Sequence, residues 1–171
     1  KLKITEVEIL LFDIPLTSPF RIAIGEMTAA NDLLIRIKTD QGLVGLGEAC
    51  PFPPITGETQ ATNAAAARAI RDMIVGKDPL AIDALLRQIG PLVHANPSAV
   101  AAFDMALHDI LGKVAGLPLF RLLGGTKSVF ETDITTSIDT LEKMTAESKK
   151  YADMGYKTLK VKVGLDPNED V

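Results

Sequence analysis

Thr158-Leu159-Lys160-Val161-Lys162-Val163-Gly164 is the stretch on which the fold of this chain turns. Alternate side chains of a β-strand point to opposite faces, so Lys160 and Lys162 share one face and Leu159, Val161 and Val163 share the other. A wholly apolar face predicts a strand of a parallel sheet with helices packed outside it, which turns both lysines inward. Two neighbouring ammonium groups are costly unless something anionic lies between them. A lysine beside another cation and partly desolvated loses basicity toward the range useful for proton transfer at neutral pH. The same pattern also fits an edge strand with a solvated Lys-x-Lys face.

Upstream, Thr132 to Ile138 reads as a second strand. Asp139 reads as the cap of a helix, with Glu142 closing a capping box, and the helix is expected to run to about Met154 before Gly155. Strand, helix and strand at this spacing predict a βαβ unit with parallel neighbours and a right-handed crossover. Asp166-Pro167-Asn168-Glu169 reads as the start of another helix. Two parallel strands cannot cover their own faces or close a barrel, which takes about 250 residues. The chain is therefore expected to be the N-terminal part of a longer protein.

The first part of the chain follows a different pattern. Leu2 to Ala49 reads as an antiparallel meander, with Leu33, Ile35 and Ile37 alternating with Leu34, Arg36 and Lys38, and with a hairpin turn at Asp40-Gln41-Gly42. Pro15 to Ala30 and Cys50 to Glu58, rich in Pro, Thr and Gly, read as irregular loops that interrupt it. A helix is expected from Thr59 to Val75. Asp78-Pro79 and Asn96-Pro97 read as two further helix starts, the second helix running to Ala115 with Val100, Phe103, Leu107, Ile110 and Val114 on one face, before Gly116 and Pro118. These features predict an α+β module over residues 1–125 and the first βαβ unit of a second domain over 126–171.

Composition narrows the function. The 171 residues are 47% hydrophobic and 23% charged, with a formal net charge of −4. That is ordinary globular material, and its acidic balance argues against nucleic acid or an anionic membrane as partner. The apolar run Ile9 to Phe12 is too short to span a bilayer or to serve as a secretory signal core, and a soluble, cytoplasmic protein is expected. Cys50 is the single cysteine and reads as a small core residue, consistent with a reducing compartment. Asp104 and His108, four apart on a helix, read as a surface pair, and Glu48 and Glu58 as solvated or capping carboxylates. None is read as a metal ligand.

Several segments, in order along the chain, resemble the enolase superfamily in its muconate-lactonizing subgroup. They are Gly45-Leu46-Gly47-Glu48-Ala49, residues 101–113 (AAFDMALHDILGK), Gly116-Leu117-Pro118-Leu119-Phe120, Leu123-Gly124-Gly125 and Lys160-Val161-Lys162-Val163-Gly164. Within that subgroup, Ile55-Thr56-Gly57-Glu58-Thr59 and Thr132 to Ile138 are most similar to dipeptide epimerases. The resemblance implies an α+β capping domain, an antiparallel meander plus a helical bundle, followed by the start of a TIM-like (β/α)7β barrel. It implies removal of the proton α to a carboxylate, an enediolate held by Mg²⁺, and return of the proton to either face. Lys162 would be one acid/base catalyst, and Lys160 would stabilise the substrate carboxylate and lower the basicity of Lys162. The chemistry agrees, because so weak an acid yields its proton at neutral pH only to a site with cations aimed at the developing charge.

The resemblance also implies that the opposing lysine and the three carboxylate ligands of Mg²⁺ lie on later strands, so these 171 residues alone are expected to be inactive. Thr135 and the two loops, through Arg21, Ile55 and Thr56, would contact a small-molecule dipeptide, and a homo-oligomer is expected. Family members acting on Ala-Glu carry a basic residue a few positions after the Pro-Phe pair of the first loop. Here Pro19-Phe20 is followed directly by Arg21, and Gly25 falls where the basic residue would be. A hydrophobic second residue is therefore as well supported as an acidic one, and Arg21 is either a carboxylate anchor or a surface residue. An o-succinylbenzoate synthase, an N-acylamino acid racemase, a muconate cycloisomerase and a non-catalytic assembly module are the alternatives.

Overall fold

Alternation over residues 33–38 builds the sheet. The computed structural model describes residues 1–127 and 129–164; in it Leu33, Ile35 and Ile37 of β2 (Gly25–Thr39) are buried, and Leu34, Arg36 and Lys38 face the other way. β2 lies between β1 (Ile4–Ile22) and β3 (Val44–Ala49). β2 and β3 are antiparallel, in register from Leu33 opposite Ala49 to Lys38 opposite Val44. Gly42 supplies the positive φ, 78°, that their turn needs. On the outer face Arg36 pairs with Glu8, and Lys38 reaches Glu8 at 2.7 Å and Glu6 at 3.0 Å.

After β3 come the one-turn helix α1 (Pro53–Thr56), then α2 (Gln60–Ile74), α3 (Ile82–Leu92) and α4 (Pro97–Ala115). Their apolar faces meet the sheet in one core, in which Ile70, Ile74, Ile89, Phe103, Leu107 and Ile110 are wholly buried. Each such side chain contributes about 1.5–3 kcal/mol relative to exposure. α4 lies against β3 with no room for a side chain between them. A Cβ on Gly47 would stand 1.8 Å from the Ala102 carbonyl oxygen, and one on Gly45 2.1 Å from that of Ala106. Two more α4 side chains reach the edge of β3: Asp109 accepts from the Leu46 N–H at 2.9 Å, and Lys113 donates to the Val44 carbonyl at 2.6 Å. α4 ends as expected, on left-handed Gly116, and a further turn, α5 (Leu119–Leu122), follows.

The chain divides into two compact units. The first holds Lys1–Ile14 and Ala30–Thr126, and the second holds Pro15–Ala29 with the described residues from Lys127 onward. In the second, β4 (Ile134–Thr136) and β5 (Leu159–Val161) are parallel, joined through α6 (Leu141–Asp153). This is the βαβ unit that the spacing predicts, with Gly155 at φ 95° after the helix. The expected helix start at Asp166 lies outside the described residues.

The structure corrects several local expectations. Residues 15–30 are not an irregular loop: β1 and β2 run on through them to a two-residue turn at Ala23-Ile24. Pro15 and Pro19 fit because β1 is an edge strand, where a missing N–H breaks no central ladder. Cys50 to Glu58 contains the regular turn α1, started by Pro53 and stopped by Gly57 at φ 71°. Asp78 accepts from the Leu80 N–H at 3.0 Å in a turn, and α3 begins only at Ile82. Asn96 precedes α4 but donates to the His94 carbonyl instead of capping the helix. The cap of α6 is Thr140, which accepts from the Lys143 N–H, while Asp139 accepts from the Thr140 N–H at 2.8 Å. On α4, Val114 is half exposed, and Ala99, Ala102 and Ala106 occupy the buried face instead.

Candidate active site

Parallel pairing places Thr135 directly opposite Lys160, and Thr136 opposite Val161. The two faces of this ribbon differ in what covers them. Thr136 is buried, and its hydroxyl shares a 3.3 Å hydrogen bond with Ser148 of α6. The helix therefore lies on the face of Thr136, over β4, the face that Val161 shares. Thr135 and Lys160 occupy the opposite face. Lys162 stands just past β5, with its N–H donating to the Thr136 carbonyl at 3.1 Å, so the ladder and its alternation extend to it. Thr135, Ser137, Lys160 and Lys162 thus line one face, away from the helix. Ser137 was not singled out in the sequence, although its i+2 relation to Thr135 marks it.

The lysine strand is less enclosed than its apolar face suggests. Lys160 is exposed and Lys162 half-buried. Val161 and Val163 are 49% and 52% exposed, because α6 packs on β4 rather than on β5. Covering both faces of a parallel strand takes neighbours on each side, and β5 has β4 alone.

Arg21 belongs to the same unit, near the distal end of β1. Its carbonyl accepts from the Ile138 N–H at 3.3 Å, and its guanidinium donates to Glu26 at 2.5 Å. It borders a cleft of about 390 Å³ at the C-terminal end of β4, shared with Ser18, Ser137, Asp139, Lys143 and Glu147. The Thr140 N–H, with the Lys143 ammonium, holds the Asp139 carboxyl below the usual carboxylate range.

Ile55 and Thr56 belong to the first unit, on α1. Ile55 is 66% exposed, free to meet a ligand. The Thr56 hydroxyl is engaged within its own loop: it donates to the Phe52 carbonyl and accepts from the Phe52 and Glu58 N–H groups at 3.2–3.3 Å.

Two carboxyl-bearing positions have fuller roles than the sequence suggests. Glu58 is neither solvated nor a simple neighbour of a helix start; it is buried and bonded to Asn63 and Ser98. Glu48 is exposed as expected, yet incomplete hydration of its carboxyl, then the neighbouring Asp32 carboxylate, push that carboxyl up. Cys50 is exposed and not the small core residue expected, and the same two causes push its thiol up to about 11, which keeps it protonated and poorly nucleophilic at neutral pH. Asp104 and His108 form the expected pair, 2.8 Å apart. Among the described residues no three His, Cys, Asp or Glu side chains converge in a way that could hold a metal ion.

Residues 4–124 match the family model for the mandelate racemase / muconate lactonizing enzyme, N-terminal domain. The chain belongs to that family. Within it, the chain is 40% identical over 159 residues to the L-Ala-D/L-Glu epimerase of Clostridium acetobutylicum, covering 92% of this chain and 44% of the relative. A crystal structure of a dipeptide epimerase from Cytophaga hutchinsonii, complexed with Mg and the dipeptide D-Ala-L-Val, superposes with a TM-score of 0.95 at 35% identity over 98% of this chain and 46% of that one. The N-succinyl-L-Arg/Lys racemase of Bacillus cereus is 30% identical over 99% of this chain and 47% of its own. This member of the mandelate racemase / muconate lactonizing enzyme family therefore spans about half the length of the relatives it matches. They are enolase-superfamily isomerases in which the capping module precedes a TIM barrel. The Mg of the Cytophaga complex finds no fitting set of ligands among the described residues here.

Proposed function

We propose that the full-length protein is a dipeptide epimerase. The observation that carries this reading is the face shared by Thr135, Lys160 and Lys162, turned away from α6 at the start of a parallel βα series. In such a series the reacting groups stand at the C-terminal ends of strands, where Lys162 lies. Lys162, as the free amine, takes the proton α to the dipeptide carboxylate. Lys160, as the ammonium, binds that carboxylate and gains from the charge that accumulates as the proton leaves. A second group, on chain beyond these residues and protonated at that moment, gives its own proton to the other face, so that Lys162 ends as the ammonium and that group as the free base. Mg²⁺ bound there would supply further stabilisation of the carboxylate charge; no residue described here is assigned to it.

The ion pair between Arg21 and Glu26 supports a hydrophobic second residue over an acidic one, since the guanidinium already has its counter-charge. The full-length protein incubated with a panel of dipeptides in D₂O should exchange α-protons, with dipeptides that carry a hydrophobic second residue ahead of Ala-Glu. Lys162→Ala should reduce epimerisation by about 10²–10⁴-fold, while exchange of the epimer that faces the second group persists. Retained epimerisation in that variant would exclude the acid/base role. The similarity to the Bacillus cereus racemase supports a second reading, racemisation of an N-acylamino acid through the same lysines. N-succinyl-arginine in the same panel separates the two.

A further inference from the structure

Asp13 stands one residue before Ile14, where β1 leaves the first unit, and Asn31 stands one residue after Ala30, where β2 returns to it. A single carboxylate oxygen of Asp13 accepts from two amides: Asn31 Nδ2 at 2.9 Å and Gln60 Nε2 at 2.7 Å. Gln60 is the first residue of α2, directly after the segment 50–59, and its amide also donates to the Asp32 carbonyl at 2.8 Å. Both strands that lead to residues 15–29 and the helix that follows the second loop are therefore tied at one anion. Hydrogen bonds to an ionised acceptor are about twice as strong as neutral ones, and these two come from an exposed Asn31 and from a partly buried Gln60 that is also held by the Asp32 carbonyl. Asn31 and then Gln60 hold the Asp13 carboxyl below the usual carboxylate range, so the acceptor is charged at neutral pH.

We propose that Asp13 is a positioning residue: it fixes the root of the hairpin that carries Arg21 to the start of α2, and so couples the order of residues 15–29 to that of the loop bearing Ile55 and Thr56. The consequence for binding rests on the proposed dipeptide chemistry, whereas the coupling itself stands on the bonds at Asp13. Exposed Asp13 contributes nothing to the core, so its removal leaves the fold in place.

The test is hydrogen exchange on the full-length protein, wild type against Asp13→Ala, Gln60→Ala and the double variant, together with kcat and KM for the best dipeptide. Asp13→Ala should speed amide exchange about tenfold in both 15–29 and 50–62. Gln60→Ala should do the same, and the double variant should add little, because both remove one junction. KM should rise about fivefold or more with kcat within about twofold, the pattern of lost ground-state binding. Unchanged exchange in either segment, additive effects, or a fall in kcat at constant KM would overturn the proposal. A wild-type protein inactive on every dipeptide would sink the epimerase reading and leave the exchange result to decide the coupling.

Discussion

Glu58 caps a distant helix through Ser98, forty residues after it. One carboxylate oxygen accepts from the Ser98 N–H at 2.9 Å and the other from the Ser98 hydroxyl at 2.5 Å, at the second position of α4. The first turn of a helix leaves N–H groups without partners, and the residue usually placed to serve them, Asn96, is engaged elsewhere. The same carboxyl group takes a 2.8 Å bond from Asn63 of α2, so one buried side chain joins two helices. Glu58→Ala strands the Asn63 amide and the Ser98 N–H, and should lower stability by about 2–4 kcal/mol in urea unfolding. A loss below about 0.5 kcal/mol would show that water replaces the carboxylate.

Gly47→Ala should be among the most damaging substitutions in the first unit. The added methyl overlaps the Ala102 carbonyl, which is backbone and cannot rotate away. The strand or α4 must move, at a cost of about 3 kcal/mol or more, read as a drop in thermal midpoint. Gly42→Ala offers the contrast: it meets nothing within 4 Å and costs only the left-handed backbone strain, about 1–2 kcal/mol.

Acid should loosen the sheet at its Glu8 cluster. The Arg36 hydrogen bond, then that of Lys38, lowers the Glu8 carboxyl from 4.5 to about 2. A folded-state value below the unfolded one means stability that is present above pH 4.5 and lost as pH falls toward 2. Glu8→Gln should lower stability at every pH above 4.5, flatten the acid-unfolding curve between 4.5 and 2, and converge on wild type at the acid end of that window.

Glu48 has the opposite sign. Its carboxyl is raised, so ionisation opposes folding at neutral pH and the penalty disappears below the unfolded value. Glu48→Gln should therefore stabilise the protein at pH 7 and bring no gain near pH 3. Equal midpoints at pH 7 would contradict this.

Cys50, although exposed, should react slowly with thiol reagents at pH 8 because its thiol is pushed up to about 11. Asp32→Asn should accelerate labelling by removing the nearer negative charge. Fast labelling of the wild type would show that the carboxylates do not govern the thiol.

The parts of the fold legible in the sequence are those with a strict period. The alternation at Leu33 to Lys38, the helical run from Pro97 to Gly116 and the strand-helix-strand spacing around Lys160 each reflect one buried face. The 15–30 hairpin was hidden because its prolines signal a loop, and edge position, which permits them, is a property of the sheet and not of the segment. The carboxylate roles were hidden for a related reason. Glu58 meets Ser98, and Asp13 meets Gln60, only after distant elements pack, and no local pattern encodes such partners. At the lysine strand, the shared face follows directly from alternation, but how well it is covered depends on neighbours that β4 and α6 alone do not supply.

The side chains that Asp109 and Lys113 lay along β3 also govern what this sheet can join. An edge strand with open N–H and C=O groups recruits other strands, in orderly assembly or in aggregates. Here the Leu46 donor and the Val44 acceptor are already occupied by a helix of the same unit. An incoming strand would have to break an ion pair and displace part of α4 before forming its first bond. Sheet extension at the Val44–Leu46 stretch of β3 is thereby opposed, which leaves β1 as the edge at which another strand would meet less resistance.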